Sequence, residues 1–458
     1  MSIPKKPSLL VGAISPLDGR YREKVAEIGC YFSEEALMRY RLFVEIEYLI
    51  FLHASVKELK PISLKDQKTL KNLHSDFSQQ TYNQIKKIES KSHHDVNAVV
   101  EYLSLHVSKK MRQDLAAMVH FGLTSEDINN LAYGLMVQDA CNEVLIPQLK
   151  VCVKDLEKLA KTTAQMPLLA LTHGQPATPT TLGKELQIFV QRINRQLSQL
   201  SAHRLMGKLG GATGSLAAHH LAFPQHAWQV FSKRFVHHLG LEHNPLTTQV
   251  EPGDSLAELL HLLVRINNIF LDLSVDLWHY ISRNLFIQQN NAKEVGSSVM
   301  PHKINPIHFE NAEGNLELAN QQLVFFANKL TRSRLQRDLS GSTVMRNLGV
   351  SLAHSLLGYK SVQEGLSRLM PNQKQLQEEL NQHWSILTEA IQTILRKSGD
   401  QSAYDNIKKL SKGKMFDQNA YIELVNSLVL NKSDKELLLS LSPENYLGVI
   451  DKIMEKKK

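Results

Sequence analysis

The chain has 458 residues, of which 43% are hydrophobic and 21% charged; this is ordinary for a globular protein and argues against disorder, and the length exceeds the roughly 250–300 residues one core can serve, so two or three domains are predicted. The formal net charge of +8 suits an anionic partner, but no aromatic and basic ladder points to nucleic acid, and Lys456, Lys457 and Lys458 read as a solvated tail. No apolar run reaches about 18 residues and the N-terminus has no signal-peptide layout, so a cytoplasmic protein with no membrane partner is expected.

In chain order, the polar segment SPLDGRY (15–21) comes first, followed by a proline-free stretch over 62–146 that is free to be helical. Within it lies SHHDV (92–96), where His94 beside Asp95 offers an imidazole with a carboxylate neighbour. His93 and His94 are adjacent, as are His219 and His220, and His237 and His238. None of these pairs has the i, i+4 spacing of two metal ligands on one helix face, so no metal site is expected. For the last four, surface or helix-end positions are expected. GLTSEDINN (122–130) reads as a helix N-terminus with Thr124 or Ser125 as the cap and Glu126 and Asp127 favoured by the dipole. Free N–H groups at such an end also bind carboxylate or phosphate, so capping and anion binding are compatible.

Apolar positions at helical spacing predict long helices over Glu143–Met166, Thr180–Leu205, Ser255–Ser282 and Phe309–Leu330. In the third, Leu256, Leu259, Leu260, Leu263, Ile266, Phe270, Leu273 and Leu277 form the stripe, with Val264, Ile269 and Val275 widening it, so burial on most sides is expected. Helices of about 20 residues or more span on the order of 30 Å and must bury their stripes against one another. The predicted fold is therefore all-α: a central long-helix bundle over 113–360, flanked by smaller helical domains over 1–112 and 361–458. Cys30, Cys141 and Cys152 are too few and scattered for a disulfide framework or zinc site and are expected to be reduced, buried thiols.

The segments between the long helices are polar, and loops on a rigid scaffold concentrate binding groups. In LTHGQPATP (171–179), Gly174 and Pro176 force a turn that holds His173, beside Thr172, Gln175 and Thr178. That histidine suits proton transfer near neutral pH or is simply a loop histidine bonded to backbone. TTQVEPGD (247–254) carries Gln249. GSSVMPHKINP (296–306) has Gly296 for backbone freedom, two serines, and Lys303 and Asn305 able to converge on an anion. A serine acting as a base needs a cation beside its alkoxide, and Lys303 is the candidate. RDLSGSTVMRN (337–347) places Arg337, Ser342, Thr343 and Arg346 close together, as a carboxylate or phosphate site or as arginines on a solvated face.

These segments, in this order, resemble the fumarase/aspartase superfamily, whose signature loop GSSxMPxKxNP is matched in full. Within it, SPLDGRY, the His-Asp pair, THGQPATP, MPHK and RDLSGSTVMRN resemble the purine-synthesis branch. The resemblance spans about residues 13–350 strongly, and the rest only in length and helical character. It implies release of fumarate from adenylosuccinate to leave AMP and from the succinyl-carboxamide ribotide (SAICAR) to leave AICAR. It implies Ser297 as general base with Ser298 beside it, His173 as general acid, and His94 as support for His173 and the substrate. Lys303, Asn305 and loop N–H groups would stabilise the carbanion charge. By the same resemblance, Arg20, Tyr21, Arg337, Ser342 and Arg346 contact the nucleotide, and Thr124, Ser125, Gln249 and Asn311 make the remaining polar contacts, with His93, Asp95 and Thr343 adjoining them. No metal or organic cofactor is implied, because the substrate carboxylate is the electron sink, and a homotetramer with shared sites is implied. Two rivals are a carboxymuconate cycloisomerase-like enzyme, whose substrate has no phosphate for SPLDGRY and RDLSGSTVMRN to meet, and a structural protein of crystallin type, which has no need of Ser297 or His173.

Overall fold

The computed structural model describes residues 13–289, 300, 302–411 and 416–455. Among these, strands are confined to four two-stranded pairs and the rest of the regular structure is helical, as the apolar spacing predicts. The chain divides into two compact units, one drawn from Met1–Leu149, Gln196–Asn268 and Gly314–Lys360 and the other from Lys150–Arg195, Ile269–Glu313 and Ser361–Lys458.

The first unit begins with a set of helices whose starts are written in serine. Ser33, Ser63 and Ser78 each accept an N–H three residues on, opening helices Glu34–Ser55, Leu64–Ser75 and Gln79–Ser92. Helix Asp95–Lys110 follows, and the four pack around Leu42, Ile46, Leu49, Leu70, Ile85, Val99 and Leu103, all fully buried. Elsewhere in this unit a fully buried amide is satisfied on both sides. Asn267 Nδ2 donates to Asn320 Oδ1 at 2.9 Å and Ser355 Oγ at 3.1 Å, while Tyr359 donates to Asn267 Oδ1 at 2.5 Å. These residues come from helices Asp254–Ser282, Ile307–Leu330 and Leu348–Leu366, so one side chain sets the register of three helices.

The predicted stripe of Asp254–Ser282 is buried as expected, except that Val264 is half-buried and Val275 is 39% exposed, with Trp278 one turn on 40% exposed. The helix predicted from Glu143 instead begins at Ile146, after a π-helical turn Cys141–Leu145 in which Ile146 N–H reaches Cys141 O. Pro147 is the cause: without an N–H it cannot bond the carbonyl four residues back, and its ring crowds that carbonyl. Two further corrections concern exposure. Cys30 is exposed, whereas Cys141 and Cys152 are buried. His219 is fully buried, because its ring fills a cluster with Tyr48, Phe121 and Trp228. There Tyr48 Oη donates to Phe121 O at 2.7 Å and lies 3.0 Å from His219 Nε2, and burial pushes the imidazole down to about 4.

The second unit contains the hairpin Leu171–Thr172 with Gln175–Pro176 and a C-terminal core around Leu380, Leu387, Ile391, Val425 and Leu438. Arg283 forks onto Glu379 at 3.0 and 2.8 Å, tying the end of the long helix to helix Gln373–Asn381.

Candidate active site

A cavity of about 290 Å³ in the first unit brings together His93, His94, Asp95, Ser125, Arg337, Ser342 and Arg346, which lie far apart in sequence. A second cavity of about 110 Å³ shares Asn129, Tyr133, Arg337 and Ser342 with it and adds Glu126 to its lining.

The two histidines are placed by opposite ends of two helices. His93 closes helix Gln79–Ser92 in a left-handed conformation (φ 53°), and His94 opens Asp95–Lys110 by accepting Asn97 N–H on Nδ1 at 3.2 Å. With Nδ1 engaged as an acceptor, the neutral ring carries its proton on Nε2. Asp95 is the carboxylate neighbour expected for His94 at ion-pair range only, since Nδ1 and Oδ1 are 3.9 Å apart, too far for a hydrogen bond. Asp95 serves arginines instead: Arg41 Nη1 lies 2.8 Å and Arg346 Nη2 2.6 Å from its Oδ2. Burial opposes the charge, but the two guanidiniums outweigh it and hold the carboxyl down to about 2. One carboxylate neutralises only one of the two cations, which leaves positive charge for an anionic ligand.

Arg41 was not among the residues singled out in the sequence. It is 2% exposed and donates Nε–H to Asn129 Oδ1 at 2.9 Å, so it joins Asp95 to helix Ser125–Ala140. A signal was present: Met38, Arg41, Leu42, Glu45, Ile46 and Leu49 share one buried helix face, and a charge on such a face must have a partner. Glu45 on that face meets His120 at 2.5 Å.

Thr124 caps helix Ser125–Ala140, with Asp127 Oδ2 accepting Thr124 N–H at 2.8 Å, and Ser125 lines the larger cavity. Arg337 Nη2 lies 3.4 Å from Glu126 Oε2, and its Nη1 donates to Gln249 Oε1 at 3.2 Å. Burial raises the Glu126 carboxyl above its ordinary value despite Arg337. Ser342 Oγ is 3.5 Å from Arg337 Nη2, and Thr343 is exposed with its hydroxyl turned back to Leu339 O at 3.2 Å. Arg20 and Tyr21 stand beyond the turn Pro16–Asp18, with the guanidinium 5.9 Å from the ring centroid.

His173, Lys303, Asn305 and Asn311 belong to the second unit, and Ser297 and Ser298 lie outside the described residues. His173 and Gly174 are the two central residues of the hairpin turn, both left-handed at φ 54° and 71°, between the paired Thr172 and Gln175. Positive φ at both positions defines a type I′ turn, where asparagine and glycine are favoured. The imidazole is thereby presented at an exposed tip. Thr178, expected near that ring, donates to Glu389, and Gln175 Nε2 turns to Gly174 O at 3.2 Å. Lys303 is exposed, and Asn311 Nδ2 donates to Ser361 Oγ at 2.7 Å.

The same fold is found in a fumarate lyase from Mesorhizobium sp. BNC1 (TM-score 0.75, 17% identity, 94% of this chain and 96% of that chain). It is also found in a beta-carboxy-cis,cis-muconate cycloisomerase from Acinetobacter calcoaceticus (TM-score 0.72, 19% identity, 94% and 96%). Two family profiles match the sequence, one described as lyase over residues 19–319 and one as adenylosuccinate lyase C-terminal over 333–447. The adenylosuccinate lyase of Legionella pneumophila (strain Corby) is 44% identical over 448 residues, 97% of this chain and 98% of the relative. That of Escherichia coli (strain K12) is 42% identical over 439 residues, 95% and 96% respectively. The chain belongs to the adenylosuccinate lyase family and is a lyase. No helix among the described residues is long and apolar enough to cross a membrane.

Proposed function

We propose that this chain cleaves adenylosuccinate to AMP and fumarate, and SAICAR to AICAR and fumarate, by β-elimination in cytoplasmic purine synthesis. The observation that carries the reading is the clustering of Arg337 and Arg346 with His93, His94 and Ser125 around one cavity, with Asp95 shared between Arg346 and buried Arg41. Such a site is built for a small polyanion that carries a phosphate and carboxylates. In this reading Ser297, stabilised by Lys303, removes the proton from the succinyl carbon, and the charge passes into the adjacent carboxylate. His173 protonates the departing nitrogen, and His94, with its Nε2 proton, orients the substrate. Arg20, Tyr21, Arg337, Ser342 and Arg346 hold the nucleotide, while Thr124, Ser125, Gln249, Ser298, Asn305 and Asn311 make the remaining polar contacts, with His93, Asp95 and Thr343 adjoining them.

A homotetramer with sites shared between subunits belongs to the same proposal. It is supported by the large apolar side chains that long helices leave open, including Trp278 (40% exposed), Leu318 (46%) and Phe325 (50%). The test is fumarate release from adenylosuccinate by the purified chain, with 3-carboxymuconate as the alternative substrate and Ser297→Ala as the control. Turnover of adenylosuccinate that Ser297→Ala abolishes, with substrate still bound, is the expected result. Conversion of 3-carboxymuconate alone would replace this reading with the cycloisomerase one.

A further inference from the structure

Lys208 and Asp127 form an ion pair of 2.8 Å in which both side chains are fully buried. Asp127 is the third residue of helix Ser125–Ala140, two beyond cavity-lining Ser125. Its carboxylate also accepts N–H groups from Thr124 at 2.8 Å, Gly210 at 2.8 Å and Gly211 at 3.1 Å. The ammonium donates to Gly211 O at 3.2 Å. Asn130 grips the Lys208 backbone from both sides, accepting its N–H at 2.8 Å and donating to its carbonyl at 3.0 Å. Relative to apolar residues of equal volume, such a pair brings little net stability, so its main effect is on geometry.

That geometry runs in a closed circuit through the candidate site. Gly210 and Gly211, pinned by Asp127, lead into a turn where Ala212 O accepts Gln249 Nε2–H at 2.9 Å. In the same turn Gly214 is left-handed (φ 69°), and a Cβ there would fall 2.2 Å from Thr247 O, so the turn rests directly on the segment that carries Gln249. Gln249 Oε1 accepts from Arg337 at 3.2 Å, and Arg337 returns to Glu126, next to Asp127, at 3.4 Å.

We propose that Lys208 and Asp127 are positioning residues: their buried contact sets the spacing between the Thr124 and Ser125 helix start and the 210–215 turn, and through it places Gln249 and Arg337 for the substrate. The inference rests on the reading that Ser125, Gln249 and Arg337 hold that substrate. Neither residue touches it.

The test compares Lys208→Met, Asp127→Asn and the double variant by Tm, KM and kcat for adenylosuccinate. In the single variants Tm falls and KM rises about tenfold or more, with a much smaller change in kcat. In the double variant, where no buried charge is left alone, Tm recovers toward wild type while KM stays high. A purely structural role predicts the reverse, with KM returning as Tm does, and that result overturns the proposal. Leu438→Ala, in the other unit's core, serves as the stability control and should lower Tm with KM unchanged. If a single variant does not fold, the double variant decides, and its failure to fold would overturn the proposal by showing that the pair is needed for folding itself. Ser125→Ala and Arg337→Ala separate the two readings. If both leave KM unchanged, the assignment of the site fails; if both raise it and the double variant does not, only the positioning role fails.

Discussion

Replacing His173 by asparagine separates the shape of its turn from the chemistry of its ring. The residue sits at φ 54° with Gly174 at 71°, and no hydrogen bond reaches its ring among the described residues. Its contribution to stability therefore comes through the backbone. A left-handed conformation costs an ordinary L-residue about 1–2 kcal/mol, and asparagine relieves part of that cost, so His173→Asn should leave the hairpin unchanged or firmer by up to about 1 kcal/mol. His173→Ala should loosen it by a similar amount. A change of 1 kcal/mol alters the population of a competent loop by about fivefold. Loss of a general acid, by contrast, lowers kcat by about 10²–10⁴. Steady-state fumarate release together with thermal melts reads both quantities. Both variants should be at least about a hundredfold slower, with KM little changed and Tm moved slightly in opposite directions. If the asparagine variant keeps kcat within about fivefold of wild type while the alanine variant loses activity, His173 is a turn former and the acid lies elsewhere.

Three further outcomes follow from the same geometry. Asp95 is held down to about 2 by Arg41 and Arg346 against an ordinary value of 3.8, so its stabilisation is full above the unfolded value and is lost as pH falls from there through about 2. After a discount for partial exposure it amounts to about 1–2 kcal/mol, and Asp95→Asn should flatten that part of an acid unfolding curve; an unchanged curve refutes the assignment. Asn267→Leu removes its hydrogen bonds to Asn320 Oδ1, Ser355 Oγ and Tyr359 Oη, while Asn320 keeps its bond to Asn268, and should cost about 2–3 kcal/mol in urea unfolding, whereas a loss under about 1 kcal/mol would mean that the three-helix register does not depend on it. Inactive His173→Ala and Ser297→Ala proteins, unfolded and refolded together, should regain about a quarter of wild-type activity if each site takes those residues from different subunits, and hybrid tetramers with no activity would place both on one chain.

Much of this protein was legible in sequence because its signals are local. Helical spacing in Asp254–Ser282 and the N-terminal signature around Thr124 depend on residues a few positions apart, and each stands where its pattern puts it. The polar segments between the long helices were also readable by composition, while the binding roles of their residues were implied only by the family resemblance. What sequence alone left open was partnership. Asp95 adjoins His94 in the chain but bonds Arg41 and Arg346, because His94 Nδ1 is taken by Asn97 N–H at the start of the helix. Lys208 and Asp127 are 81 positions apart, and no local pattern joins them; only packing removes both from water, and once there each requires the other. His219 does stand in the last turn of a short helix, one of the two positions expected, but its burial was not legible, since burial of a polar ring is decided by the aromatic side chains that close over it. Periodicity and capping act over one helical turn, so the chain itself specifies them, whereas the pairing of buried charges is a long-range choice that only the folded core makes.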